Sequence, residues 1–112
     1  MRVRAKTTNT GIPPRKARLV VDMVRGKRVE EALAMLRFAP SPVARTVAKL
    51  VKSAAANAEN VFQMEPSELR IVTIFADAAP MTKRFRARAR GRGAPILKRS
   101  SHITVVVADQ EG

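Results

Sequence analysis

The run Arg84-Phe85-Arg86-Ala87-Arg88-Ala89-Arg90-Gly91-Arg92-Gly93 is the stretch on which the fold of this chain turns. Its five arginines fall on every second position, and side chains two apart share one face of a β-strand. The residues between them are mostly small, so the opposite face has little with which to anchor a core. A guanidinium fork can hold two phosphate oxygens at once, and a file of such forks on a thin extended ribbon suits a polyphosphate partner.

Working outward, the segment between Asp77 and Asp109 contains eight basic residues and no acid: Lys83, the five arginines, Lys98 and Arg99. On its amino-terminal side, residues 69–76 are β-branched and apolar enough for a central strand. On the other side, Ser101-His102-Ile103-Thr104-Val105-Val106-Val107-Ala108 is the natural partner strand. The simplest connection is an antiparallel hairpin with its tip near Gly91-Arg92-Gly93, where glycines permit positive φ. With the base near residues 77 and 103, about thirteen residues per arm carry the tip on the order of 40 Å from the sheet. Pro80 and Pro95 cannot donate to a ladder and belong at irregular or edge positions. An isolated ribbon of this charge density repels itself. The tip is therefore expected to be mobile in the free protein and ordered on its partner, which amide exchange at residues 83–95 would check.

Upstream, Arg2, Arg4 and Lys6 alternate with Val3, Ala5 and Thr7 over residues 2–8, the pattern of a short strand with a basic outer face. Pro13 and Pro14 set up a helix with an apolar stripe of Leu19, Val20, Met23 and Val24, and Gly26 follows its last turn. A second helix over residues 29–38 places Glu30 and Glu31 in its first turn, where the dipole favours acids, and turns Val29, Ala32, Leu33 and Leu36 inward. Ser41-Pro42 starts a third, in which Val43, Val47, Leu50, Val51, Ala54, Ala58 and Val61 keep a 3.6-residue period. Arg45, Lys49 and Lys52 lie on its other side, where an ordinary solvated face explains them as well as a ligand does.

The 112 residues carry 22 Lys and Arg against 9 Asp and Glu, a formal charge of +13, so an anionic polymer or surface is the expected partner. The 46% hydrophobic fraction is that of a folded chain rather than a basic tail. No cysteine is present, which excludes disulfides, thiolate metal sites and thiol catalysis together. No apolar run approaches a membrane span or follows the charged amino terminus as a signal sequence would require, so a cytosolic location is expected. An enzyme has little to work with: His102 is the single histidine, the acids are scattered, and no nucleophile with its base is spaced for catalysis. No cofactor is expected. With aromatic residues at 4%, base stacking is not expected to dominate, and recognition rests on phosphate geometry and backbone shape. If the eight charges each meet one phosphate, log K should fall against log salt with a slope of about −6 to −7.

Four segments resemble one known family in order and spacing. They are Arg15-Lys16-Ala17-Arg18-Leu19-Val20-Val21-Asp22 with Arg25-Gly26-Lys27, Lys52-Ser53-Ala54-Ala55-Ala56-Asn57-Ala58-Glu59, the arginine run 84–92, and Lys98-Arg99-Ser100-Ser101-His102-Ile103-Thr104-Val105. Together they look like bacterial large-subunit ribosomal protein twenty-two, over nearly the whole chain. The resemblance implies an α+β fold, a three-stranded antiparallel sheet packed with three helices and a long protruding β-hairpin. It forms one domain, with a globular part at about 1–78 and 101–112 and the hairpin at about 79–100. It further implies a structural constituent of the large ribosomal subunit that binds large-subunit (23S) ribosomal RNA and helps it fold during assembly. The hairpin would line the nascent-peptide exit tunnel beside a neighbouring ribosomal protein, its stem Met81-Thr82-Lys83-Arg84 near the macrolide region. Carried over residue by residue, Lys83, Arg84, Arg86, Arg88, Arg90, Arg92, Lys98 and Arg99 become RNA contacts of the hairpin. Arg15, Lys16, Arg18, Arg25 and Lys27 become those of the globular part. The alternative of another class is a DNA-bending architectural protein with a basic β-ribbon arm, which usually ends in an apolar wedge rather than Gly-Arg-Gly. A cationic membrane-surface protein is weaker, because Ala87, Ala89 and Gly91 bury too little area.

Overall fold

A computed structural model describes residues 2–8, 10–39, 41–79, 82–87 and 93–109. The elements run β1 (Arg2–Thr7), α1 (Pro14–Val24), α2 (Val29–Phe38), α3 (Pro42–Asn60), a 3₁₀ turn (Pro66–Glu68), β2 (Arg70–Ala78), β3 (Thr82–Ala87), β4 (Gly93–Lys98) and β5 (Ser101–Ala108). This is an α+β chain with three helices on a three-stranded antiparallel sheet of order β1-β5-β2.

Local chemistry sets the helix ends. Pro14 begins α1 at the position where a missing N–H costs nothing, and Gly26, at φ +78°, takes the turn beyond its end. Ser41 caps α3, its Oγ accepting from the Val43 N–H at 3.2 Å, with Pro42 next in line. Helix α2 carries Glu30 and Glu31 in its first turn and Arg37 in its last, matching the helix dipole at both ends.

The core lies between one face of the sheet and the helices α1 and α3, with α2 packed against α3. Strand β5 is central and supplies Ile103, Val105 and Val107, all fully buried. Val3 comes from β1, while Ile71, Ile74 and Ala76 come from β2. Ile71 and Ile74 are three apart, an odd spacing that would point them to opposite faces of a regular strand. A bulge between Ile71 and Thr73 admits Val72 as an extra residue and restores the parity, so both reach the core.

The apolar stripe of α1 is rotated from the expected one. Its buried residues are Ala17, Val20, Val21 and Val24, while Leu19 and Met23 are 69% and 43% exposed. Ala17 at the contact lets α1 approach closely, and the i, i+3, i+4, i+7 spacing of these four makes the better seam. On α3 the expected face holds with Ala44 added, but Val61 lies past the last helical residue and is 66% exposed. Leu33 of α2 is only partly buried.

Beyond the sheet, β3 and β4 pair with each other in a separate antiparallel ribbon, from Thr82 opposite Lys98 to Ala87 opposite Gly93. Pro95 stands within β4, which, like either strand of a two-stranded ribbon, keeps one edge open. Pro80 and the tip residues 88–92, with the expectation about tip order, lie outside the described residues. The molecule measures 63 × 26 × 18 Å, and its radius of gyration of 17.1 Å exceeds the roughly 13 Å of a compact chain this long.

Candidate nucleic-acid interface

Rotating α1 onto Ala17 and Val21 aligns Arg18, Asp22 and Arg25 on a neighbouring stripe, against the outer edge of β2. Alternate carbonyls of an edge strand point away from the sheet and need donors. Arg18 Nε donates to the Ala76 carbonyl at 3.3 Å and Arg25 Nη2 to the Ile74 carbonyl at 2.9 Å. Arg25 Nη1 also meets Asp22 Oδ1 at 2.6 Å. Further along the edge, the Gly26 N–H donates to the Ile71 carbonyl, the Ile71 N–H to Lys27 and the Val29 N–H to Leu69. Thus Arg18 and Arg25 close the sheet edge as well as contributing charge. Each guanidinium carries five donors, so spending one or two there leaves others for phosphate.

Arg15 and Lys16 project from the first turn of α1, and Lys27 follows its end, all three exposed. The helix start, the end of β2 and the approach to β5 enclose an open cleft of about 720 Å³. Arg15, Arg18 and Arg99 line it together with Pro13, Pro14 and Ser100. Residues 84 positions apart in the chain are thereby brought to one positive recess at the base of the ribbon. A latch fixes that recess. Thr10 Oγ1 and Ser101 Oγ share a hydrogen bond of 2.9 Å, the Gly11 N–H donates to Ser100 Oγ at 2.9 Å, and the Thr10 N–H donates to the Ser101 carbonyl at 3.1 Å.

On the ribbon, Lys83, Arg84 and Arg86 occupy β3 and Lys98 the last position of β4. Arg88, Arg90 and Arg92 lie outside the described residues. Of the thirteen sequence-derived positions, the ten described fall into an α1 group joined at the cleft by Arg99 and a ribbon group of Lys83, Arg84, Arg86 and Lys98. Arg2, Arg4, Lys6 and Arg70 belong to neither, although the alternation of β1 made three of them visible as a basic strand face. Lys6 also lines a small recess with Lys49 between β1 and α3, which carries positive charge around the sheet edge. Among the described residues no group of three or more His, Cys, Asp or Glu could hold a metal. No helix there is long and apolar enough to cross a membrane.

A basic α+β scaffold with an arm built of paired strands and a cationic recess at the arm's base fits the class of proteins that hold a nucleic-acid backbone by charge. The chain belongs to the ribosomal protein L22p/L17e family, whose model matches residues 5–108. It is 63% identical to the large ribosomal subunit protein uL22 of Dehalococcoides mccartyi, across 97% of this chain and 100% of that one. Proteins of the same name from Herpetosiphon aurantiacus and Geobacter metallireducens are each 51% identical, over 99% and 98% of this chain and 98% and 100% of theirs. Membership makes it a structural constituent of the large subunit of the cytoplasmic ribosome, with ribosomal RNA and other ribosomal proteins as partners.

Proposed function

We propose that the protein pins large-subunit (23S) ribosomal RNA at two places, the α1 recess and the ribbon, and so helps that RNA fold during assembly. The globular part, about 1–78 and 101–112, docks by phosphate contacts from Arg15, Lys16, Arg18, Arg25 and Lys27. The hairpin, about 79–100, threads between RNA segments through Lys83, Arg84, Arg86, Arg88, Arg90, Arg92, Lys98 and, at its base beside the α1 recess, Arg99. It lines the exit tunnel, where the nascent peptide passes its small interleaved residues. The observation that carries this reading is a ribbon whose strands pair only with each other, in a segment that holds eight bases and no acid. A packed core does not need such an arm, and its charge calls for an anionic partner outside the chain.

The test compares binding of the purified full chain to large-subunit ribosomal RNA and to duplex DNA at matched salt. Tighter binding to the RNA, with a steep negative salt slope, is the expected result. Equal affinity for duplex DNA would instead favour an architectural DNA binder. The tunnel role is tested by placing a photo-crosslinker at Ala89 in ribosomes stalled in synthesis, where a crosslink to the growing peptide is expected. Crosslinks to RNA alone would remove the nascent peptide from the partners.

A further inference from the structure

Helices cover one face of the β1-β5-β2 sheet, and the residues alternating with its core positions face the other way. The strand register arranges them in rows. Arg2, Ala108 and Arg70 form one row, Arg4, Val106 and Thr73 the next, and Lys6, Thr104 and Phe75 the third. Asp77 and His102 continue the array toward the ribbon. Arg2, Arg4, Lys6 and Arg70 are all exposed.

We infer that this open sheet face is a second docking surface for the RNA backbone, with Arg2, Arg4 and Lys6 as a rail of phosphate contacts and Arg70 opposite them. The inference rests on the RNA-binding reading above and adds a site to it. Residues two apart on a strand are about 6.6 Å apart, a step comparable to that between successive phosphates, so the rail can follow one strand of RNA. Arg70 stands two strands over, about 9.6 Å from Arg2, where it can hold the same backbone from the other side. The bulge at Val72 makes this possible: it lets Ile74 and Ile71 share the core while Arg70 stays on the open face.

Charge selects the occupant. Four cations stand against one acid, Asp77, and no acid among the described residues pairs with any of the four. An apolar protein surface or a lipid bilayer would find little to bury here. Ala108 and Thr104 on the central strand of this face are only 0% and 2% exposed. The exposed cations lie on the flanking strands β1 and β2, on either side of β5, an arrangement suited to a backbone lying across the sheet. Phe75, partly exposed beside Thr104, offers one flat apolar patch for a ribose or an unstacked base.

The test is a full-length variant carrying Arg2→Ala, Arg4→Ala, Lys6→Ala and Arg70→Ala, measured against transcribed large-subunit ribosomal RNA across a range of salt. An Arg15→Ala/Lys16→Ala variant serves as comparison. The expected result is a salt slope shallower than that of the natural sequence by about 3, since each lost phosphate contact removes about 0.7 to 0.9. An unchanged slope, with the comparison variant shallower, overturns the sheet-face site and leaves the RNA reading standing. Should the natural sequence itself bind this RNA without salt dependence, both readings fall. Should the variant lose a neighbouring ribosomal protein while keeping its RNA slope, the face belongs to a protein and the inference is overturned. A second measurement needs no variant: Lys6 should resist a lysine-reactive reagent in the saturated RNA complex, and equal labelling of free and bound protein overturns the site.

Discussion

At Gly26 the chain leaves α1 with φ +78°, and a Cβ built there meets nothing within 4 Å. The demand for glycine is thus purely conformational. Gly26→Ala should cost about 1 to 2 kcal/mol, read as a lower urea midpoint with an unchanged m-value. Leu50 tests the core in the same way. It sits on the buried seam of α3, and Leu50→Ala should cost about 2 to 5 kcal/mol in the same unfolding experiment. Both positions were legible in the sequence, one as a glycine after an apolar run and the other as part of a long 3.6-residue period. Arg18 and Arg25 were legible only as charges. Their partners are the carbonyls of Ala76 and Ile74, and a main-chain acceptor leaves no mark in the sequence.

Among the elements, α3 and β5 were plain because composition, period and end signals agree in each. Helix α1 was ambiguous for a definite reason. Leu19-Val20-Val21 and Met23-Val24 support two adjacent stripes, and hydrophobicity alone favours the one with the larger residues. Close packing through Ala17 decides for the other. The bulge of β2 could have been found, since Leu69, Ile71, Ile74 and Ala76 break the two-residue rhythm once, between Ile71 and Ile74. The ribbon needs no such arbitration, because its charge and glycines forbid most other uses. Replacing residues 83–92 by a short turn should leave the helical circular dichroism and the melting midpoint nearly unchanged, since that stretch is mostly arginine, alanine and glycine and its strand pairs with β4 rather than with the sheet. The same variant should bind large-subunit RNA with a much shallower salt slope. Loss of cooperative melting on this deletion would contradict the division between scaffold and arm.

Over the whole molecule, the strand order β1-β5-β2 sets a constraint on how the protein comes into being. The first strand synthesised pairs only with the last, and Thr10 reaches Ser101 across a sequence separation of 91. During translation α1, α2 and α3 emerge early, yet the sheet has no middle until residues 101–108 leave the ribosome. A chain truncated after residue 100 should therefore retain some helical signal but show no cooperative unfolding transition, as followed by circular dichroism during heating. Such a topology, rich in distant pairings, folds late and all at once. Until then β1 and β2 are two loose edges on a strongly cationic chain among abundant polyanions. Vectorial synthesis thus leaves a protein of the ribosome waiting for its own final eight-residue strand before it can take shape.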